Sequence, residues 1–373
     1  MNEMIKSDYK YQLDKSSRKY ECPKCGRKTF VLYLDENGEA LDENVGRCDR
    51  LDKCQYHYSP KDYFRDTNNA PDVRKRNNPL RPRKNEAIPP SFCSPDDMIP
   101  TIRGYERNSL MKFLHGVFDS HIGSDNVNRI AVEYAVGTSQ QFGGSPIFWL
   151  IDNSGRIRAG KVMGYNPADG KRVKNPRPQM QWIHSLLKEK YPDYRLQQCY
   201  FGAHKLRQAL KHTEKINKER QELNISGRAE PTVWLLESEK ACLIVAMALA
   251  WGGMENVIIP IACGGCGGFK PYADKKRDSY DAVQLLRNRK VVLFPDNGKF
   301  DEWKEKAIGL QGFAKEVYIS TVMERSLHPH QIECVIEEGD GFDDVILRYI
   351  NEGKEVANLL LNSYGYKGNY RIV

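Results

Sequence analysis

The chain has 373 residues, of which 40% are hydrophobic and 28% are charged, and its formal net charge is +8. This composition is typical of a globular protein, and the absence of an apolar run of about eighteen residues excludes a transmembrane helix. The first twenty residues lack the apolar segment of a secretory signal, so we expect a cytoplasmic protein with no membrane partner. The length indicates two or three domains, and the basic charge is compatible with a polyanionic partner.

Residues 1–62 contain a cluster of cysteines that predicts a zinc ribbon. Cys22 and Cys25 form a Cys-x-x-Cys turn, and a hairpin around Asn37-Gly38 is predicted before Cys48. Clustered cysteines in a reducing compartment are typical of metal sites. Structural Zn²⁺ would also stabilise a segment too short for its own hydrophobic core. The predicted ligands are Cys22, Cys25, Cys48 and Cys54, with His57 as the alternative to Cys54.

Residues 63–98 are rich in Pro, Asn and Arg, which is typical of a linker or an extended arm. Their basic side chains either assist in binding nucleic acid or form a solvated surface. These side chains are Arg74, Lys75, Arg76, Arg81, Arg83 and Lys84.

Residues 99–229 are predicted to form a basic α+β subdomain. Segment 148–175 alternates in polarity and turns at 153–155 and 167–170, which indicates a β-meander, and segment 204–228 reads as a polar helix. Basic side chains surround both turns, and aromatic side chains lie nearby. This combination suits single-stranded DNA or RNA, although a solvated surface is the alternative. The candidate nucleic-acid-binding residues are Arg156, Arg158, Lys161, Lys171, Arg172 and Lys174.

Residues 230–373 alternate between strands and helices, which predicts βαβ units and a doubly wound parallel sheet. The predicted strands are TVWLL, VIIPIA, KVVLF and EVYIS, and the predicted helices cover Ser238–Trp251, residues near Asp274–Asn288 and residues near Phe300–Lys315. The whole chain is therefore expected to be α/β, with the zinc ribbon first, the basic subdomain next and the parallel sheet last.

Two carboxylates follow predicted strands of this sheet. Glu237 comes directly after TVWLL, and Asp296 comes just after KVVLF. Because the carboxyl ends of parallel strands share one edge, we expect both acids there, where ligands of such sheets bind. Oxygen ligands suit Mg²⁺ or Mn²⁺. The alternative is that each acid only stabilises the N-terminus of the following helix.

A glycine-rich turn, CGGCGG, follows the strand VIIPIA and contains Cys263 and Cys266. The glycines predict backbone freedom at a strand end, which would allow close approach of a phosphate. Redox or metal use of this pair of cysteines is the less favoured alternative.

Three motifs of the chain resemble those of bacterial and phage DNA primases of the toprim class, which share this order of domains. LLESEKACL resembles the first toprim motif and places its glutamate at Glu237, and VVLFPDNG resembles the second and places its first aspartate at Asp296. GDGFDDVIL resembles a downstream acidic stretch of phage and plasmid primases, with Asp340, Asp343 and Asp344. The chain is also similar to zinc-ribbon-plus-toprim-like proteins of mobile elements and phages.

The resemblance implies a metal-dependent nucleotidyltransferase that binds nucleic acid, uses nucleotide triphosphates and acts in replication or transfer of a mobile element. The implied catalytic residues are Glu237, Asp296 and Lys240, and the implied Mg²⁺ or Mn²⁺ ligands are Glu237, Asp296, Asp340 and Asp343. The chain departs from the family where Gly298 replaces the second aspartate and Ser238 replaces a glycine. Since Gly298 supplies no ligand, an inactive module that binds single-stranded DNA and a metal-dependent nuclease are the alternatives.

Overall fold

The computed structural model describes residues 11–14, 16, 18–35, 37–50, 53–67, 89–271, 284–324, 334–364 and 369–372. The chain divides into two compact units, Met1–Ala87 and Ile88–Val373. The basic positions 74–84 of the predicted arm, and most of the helix predicted near Asp274–Asn288, lie outside the described residues. The segments 99–229 and 230–373, predicted as separate domains, fall within the second unit.

The first unit is built on a small antiparallel sheet. Its strands are β1 (Gln12–Leu13), β2 (Tyr20–Glu21), β3 (Lys28–Leu34), β4 (Gly46–Cys48) and β5 (His57–Tyr58), in the order β1-β3-β4-β5 with β2 also paired to β3. The hairpin predicted between β3 and β4 is present, and Gly38 in its turn has a φ of +82°. Helix α1 (Pro60–Asp66) begins after Ser59, whose hydroxyl accepts a hydrogen bond from the amide of Asp62.

The second unit begins with three helices and a four-stranded antiparallel sheet. The helices are α2 (Pro95–Met98), α3 (Ser109–Ile122) and α4 (Ser124–Glu133), and the strands are β6 (Val136–Thr138), β7 (Pro146–Ile151), β8 (Ile157–Met163) and β9 (Met180–Trp182). The strands are paired in chain order, so the predicted meander is present. Helices α5 (Ile183–Leu186) and α6 (Ala203–Glu222) follow, α6 corresponding to the predicted polar helix.

The parallel sheet predicted for the C-terminal part is also present. Its elements are β10 (Thr232–Leu236), α7 (Glu239–Trp251), β11 (Ile258–Ala262), β12 (Lys290–Phe294), α8 (Phe300–Ala307), β13 (Glu316–Ile319), α9 (Phe342–Asn351), α10 (Val356–Tyr364) and β14 (Tyr370–Arg371). The strand order is β11-β10-β12-β13-β14, and only β14 is antiparallel to its neighbour. Helix α8 ends at Ala307, earlier than predicted, because a single 3₁₀ turn and Gly312 with φ +69° follow it.

The apolar strands of the parallel sheet are buried on both faces. Trp234 and Phe294 belong to a core cluster on one face, whereas Val233 and Leu293 belong to a cluster on the other face, where Trp303 of α8 also packs. Strands covered by helices on both faces read as continuous hydrophobic runs, which explains the sequence pattern. Among the described helices, none combines the length and the apolar composition that crossing a bilayer requires.

The strand order fixes where a ligand would bind. From β10 the chain continues to β11 on one side of β10, whereas β12 lies on the other side. The order therefore reverses between β10 and β12, and doubly wound sheets bind ligands in the crevice at the carboxyl ends of such strands. The antiparallel sheet lies close to this region. Phe201 forms a one-residue bridge with Ala262 at the end of β11, and its ring meets that of Phe148 in β7 edge-on at a centroid distance of 5.5 Å.

Candidate functional site

The four predicted zinc ligands converge in the first unit. The sulfur atoms of Cys22, Cys25, Cys48 and Cys54 all lie within 4.8 Å of one another, and those of Cys22 and Cys54 are 3.6 Å apart. Tetrahedral Zn²⁺ with bonds of about 2.3 Å to sulfur separates its ligands by about 3.8 Å, so the cluster fits the ion. A hydrogen bond from the backbone of Arg27 lowers the pKa of Cys25 to about 7, which favours the thiolate that a metal needs.

His57, the alternative to Cys54, does not belong to this cluster. Its ring nitrogen Nε2 lies 2.9 Å from the hydroxyl of Tyr33, against whose ring it stacks, and the side chain is exposed. Cys54 completes the set although its spacing from Cys48 is irregular, and its amide donates a hydrogen bond to the carbonyl of Arg50. The alternative that included His57 is therefore wrong.

At the carboxyl edge of the parallel sheet, the structure brings Glu237 and Asp296 together. Glu237 follows β10 and Asp296 follows β12, the two strands between which the order reverses. Burial raises the pKa of Asp296 to about 8, and the negative charge of Glu237 and a hydrogen bond with it contribute to the rise. The two carboxyl groups therefore share a proton near neutral pH.

A third carboxylate reaches this edge from the N-terminus of α9. The ring of Phe342 stacks on that of Phe294 at a centroid distance of 4.7 Å and meets Trp234 edge-on, so the start of α9 packs against the ends of β10 and β12. A Cβ atom at Gly341 would lie 2.6 Å from Oδ1 of Asp343 and 3.0 Å from Oδ1 of Asp296. These two oxygens are therefore separated by no more than the sum of the two distances, about 5.6 Å.

Lys240 in the first turn of α7 is paired with acids of α9. Its ammonium lies 2.9 Å from Oδ2 of Asp343 and 3.7 Å from Oδ1 of Asp344. The start of α7 is fixed by Ser238, whose hydroxyl accepts a hydrogen bond from the amide of Ala241. The serine that departs from the toprim pattern thus acts as a helix N-cap.

Asp340, predicted as a metal ligand, has different contacts. Its carboxylate is paired with Arg348 and accepts a hydrogen bond from the amide of Glu337. Burial opposes ionisation, but the hydrogen bond from Arg348 and nearby positive charges, Lys171 among them, lower the pKa of Asp340. Its carbonyl oxygen accepts from the amide of Asn297, so Asp340 supports the loop that follows Asp296.

The glycine-rich turn packs against the first motif. Gly264 and Gly265 have φ values of +83° and +130°, which only glycine adopts readily, and the amide of Gly265 donates to the carbonyl of Glu237. Next to this turn, the ammonium of Lys161 lies 2.9 Å and 3.1 Å from the two oxygens of Glu239, which is 2% exposed. Sequence reasoning missed Glu239; the only signal was a second acid two residues after Glu237.

Two of the six predicted nucleic-acid-binding residues are held in ion pairs by buried acids, so neither is exposed for contact with a nucleic acid. Arg158 is 2% exposed and is paired with Asp152 at 2.7 Å, and Lys161 is held by Glu239. Arg156 is partly exposed but is paired with the same Asp152 at 2.9 Å. Alternation along β8 predicted solvent exposure, but this strand is interior and its charges are satisfied within the fold.

The remaining basic residues, Lys171, Arg172 and Lys174, are exposed in the segment between β8 and β9. Tyr165 forms a one-residue bridge with Arg172 of this segment. Burial raises the pKa of Tyr165, the negative charges of Glu239 and Asp343 raise this pKa further, and the positive charge of Arg172 lowers it. The exposed basic segment therefore lies next to the acidic edge of the parallel sheet.

The acidic edge fits a divalent ion held by two carboxylates. Among the described residues, the four cysteines form the one set of three or more Cys, His, Asp or Glu ligand atoms that all lie within 4.8 Å of one another. The acidic edge thus offers the close pair of Glu237 and Asp296, with Asp343 further away. Mg²⁺ commonly binds one or two carboxylates and completes its shell with water and phosphate oxygens, so this donor set suits it.

Comparisons with known proteins give two family matches. Residues 108–297 match the model described as a domain of unknown function (DUF6371), and residues 9–69 match a zinc beta-ribbon finger. No curated protein matches the chain.

Several solved structures of primases are similar. A DNA primase domain from Pseudomonas aeruginosa has 14% identity and a TM-score of 0.27 over 61% of this chain and 57% of that chain, so the match spans less than two thirds of its length. The DnaG primase catalytic domain bound to ssDNA has 14% identity and a TM-score of 0.28 over 69% and 71%. The Aquifex aeolicus primase zinc-binding and RNA polymerase domains have 14% identity and a TM-score of 0.31 over 93% and 80%.

The DUF6371 model covers slightly more than half of the 373 residues, including α3 to β12 and both acids of the strand-end pair. The chain belongs to the DUF6371 family, with a zinc beta-ribbon finger at its N-terminus.

Proposed function

We propose that this protein is a metal-dependent nucleotidyltransferase of the primase kind that acts on single-stranded nucleic acid. The observation that carries the proposal is the half-buried, hydrogen-bonded pair of Glu237 and Asp296 at the point where the strand order of the parallel sheet reverses. The resemblance of the motifs to toprim-class primases supports assigning the activity to replication or to transfer of a mobile element.

Glu237 and Asp296 are the residues that would hold Mg²⁺ or Mn²⁺. Two ionised carboxylates in this position repel each other, and replacing the shared proton by a divalent ion removes that repulsion. When bound, the ion supplies charge stabilisation to a phosphoryl group undergoing transfer. Asp343 would face the ion from the start of α9. A Cβ atom at Gly265 would meet no atom within 4 Å, so this position leaves room for a phosphate near Glu237.

The exposed basic segment gives this site a substrate class. Lys171, Arg172 and Lys174 are exposed, unlike Arg158 and Lys161, which buried acids hold in ion pairs. The three exposed residues lie next to the acidic edge. Cations at this place attract a nucleic-acid backbone, whose phosphates the acidic edge would otherwise repel. A single strand bound along the segment would then bring its reactive end to Glu237 and Asp296.

A second candidate function is a nucleic-acid-binding module without catalysis, and Gly298 favours it. This residue is exposed at φ +85°, in a turn held by the contacts of Asn297 with Glu337 and Asp340. The toprim pattern has a carboxylate at this position, and its replacement by glycine removes one ligand.

One experiment separates these functions. Wild-type protein is incubated with a single-stranded template, labelled nucleotide triphosphates and either Mn²⁺ or Mg²⁺, and the products are resolved by length. We expect template-directed synthesis that Asp296→Asn abolishes without loss of template binding. Asp125→Asn, which changes an exposed acid in the first turn of α4, is the matched control and should retain synthesis.

The other outcomes are equally informative. Cleavage of the template that depends on Asp296 would replace the proposal with a nuclease. Template binding without synthesis or cleavage in either metal would establish the binding module.

A further inference from the structure

The charge balance of the acidic edge identifies a role for Lys240 that rests on the proposed function. This region contains four carboxylates. The charges of three of them raise the pKa of Asp296, and two are paired with Lys240. The four acids are Glu237, Asp296, Asp343 and Asp344. With the acids ionised, Lys240 leaves a formal charge of −3. One divalent ion would bring this to −1, and a second would make the edge positive before any substrate arrives.

The ammonium of Lys240 is held next to Asp343 and therefore contributes its positive charge to this region. Its side chain is 16% exposed, that of Asp343 is 5% exposed, and their charged atoms are 2.9 Å apart. Exposed lysines gain little from such pairs, whereas a pair with this degree of burial holds its partners because separating them would strand a charge in a medium of low polarity.

The two oxygens of Asp343 have different neighbours. Oδ2 contacts the ammonium of Lys240, whereas Oδ1 lies within about 5.6 Å of Oδ1 of Asp296. Asp343 thus stands between the lysine and the pair that would hold the metal. A carboxylate near the acid pair would be available as a ligand to a second divalent ion, and here one of its oxygens is already engaged by an ammonium group.

A separate observation agrees with this arrangement. Gly298 stands where the toprim pattern has its second aspartate, so the chain lacks a carboxylate that would help to hold another ion. The loss of a negative ligand and the presence of a positive group beside Asp343 both reduce the number of divalent ions that the site can hold.

We propose that the ammonium of Lys240 takes the place of a second divalent ion, so that the protein itself holds a single Mg²⁺ or Mn²⁺ on Glu237 and Asp296. Lys240 is then a positioning residue that fixes Asp343 and limits the number of bound ions. A further ion would reach the site only with the phosphates of a substrate.

The test counts Mn²⁺ bound to the full-length, zinc-loaded chain in the absence of nucleotide, from the decrease of the electron paramagnetic resonance signal of free Mn²⁺. We expect one Mn²⁺ per chain for the wild type and for Lys240→Arg, and two for Lys240→Met. Lys205→Met is the matched control, since it breaks a partly buried lysine–acid pair away from the acidic edge, and it should keep one. Its partner Glu133 remains paired with Arg129.

One Mn²⁺ in Lys240→Met at unchanged affinity would overturn the inference and leave the proposed function intact. No Mn²⁺ bound to the wild type would instead remove the proposed function, and the inference with it.

A measurement on the wild type keeps the inference testable if Lys240→Met does not fold. Reductive methylation of lysines, followed by mass spectrometry, reports whether Lys240 is accessible with and without Mn²⁺. We expect Lys240 to be equally protected in both states, because the metal and the ammonium occupy different positions. If saturating Mn²⁺ makes Lys240 reactive, the two cations compete for Asp343 and the inference is wrong.

Discussion

Replacing Asp296 by Asn should stabilise the metal-free protein while removing its metal site. The pKa of Asp296 is raised from 3.8 to about 8, so between these values the folded chain holds a proton that the unfolded chain has lost. The contribution of Asp296 to the free energy of unfolding is therefore most favourable at acidic pH and falls as the pH rises toward 8. At pH 7 the difference of about 3 pH units, at about 1.4 kcal/mol each, gives at most about 4 kcal/mol. We expect a gain of about 1–4 kcal/mol for Asp296→Asn.

Urea unfolding followed by tryptophan fluorescence measures this gain, since all five tryptophans of the chain lie in the second unit. The buffer should retain zinc but lack Mg²⁺ and Mn²⁺. The stability difference between variant and wild type should grow from pH 5 to pH 8, and added Mn²⁺ should stabilise only the wild type. A variant that is destabilised equally at every pH would refute the reasoning. Asp125→Asn should leave the pH dependence unchanged.

Three further outcomes follow from other parts of the structure. Cys54→Ser should lose the zinc equivalent and unfold the first unit, whereas His57→Ala should retain it, as elemental analysis and circular dichroism of the two variants would show. Replacing Lys171, Arg172 and Lys174 by Glu should weaken binding to single-stranded DNA. The magnitude of the slope of log affinity against log salt should fall by about 2, at roughly 0.7 per lost contact. An unchanged slope in a fluorescence anisotropy titration would exclude these residues from the interface. Gly341→Ala should displace the start of α9 from the acid pair, because its Cβ would lie 2.6 Å from Oδ1 of Asp343, and should weaken Mn²⁺ binding in a calorimetric titration. Gly116→Ala in α3 meets no atom within 4 Å and has no positive φ, so it should leave Mn²⁺ affinity unchanged.

The sequence predicted the parts of the site that depend on local pattern. Apolar runs ending in acids placed Glu237 and Asp296 at one edge, because side chains at the ends of parallel strands must meet there. That the two strands are direct neighbours depends on the order β11-β10-β12, which long-range packing determines. The approach of Asp343 depends on Phe342 stacking against Phe294, a contact between segments almost fifty residues apart that no local pattern encodes.

The basic residues show the opposite case, in which a local pattern was misleading. The alternation of Arg156 and Arg158 is typical of a half-exposed strand. In the structure, however, both form ion pairs with Asp152. Both guanidinium groups also lie 4.9 Å from the ring centre of Phe92. A charged side chain can be buried when a partner outside the strand pattern neutralises it. Lys161 follows the same rule, with Glu239 as a partner 78 residues away.

The pair of Lys161 and Glu239 joins a strand of the antiparallel sheet to the helix that follows the first strand of the parallel sheet. Losing either member alone would leave a buried charge uncompensated, at a cost of about 3–5 kcal/mol, whereas replacing both by apolar residues of similar size is close to neutral. During evolution, selection should therefore remove replacements of one member of the pair and retain replacements of both members together. Across the family, positions 161 and 239 are expected to vary together, so that covariation between them would record the contact between the two sheets.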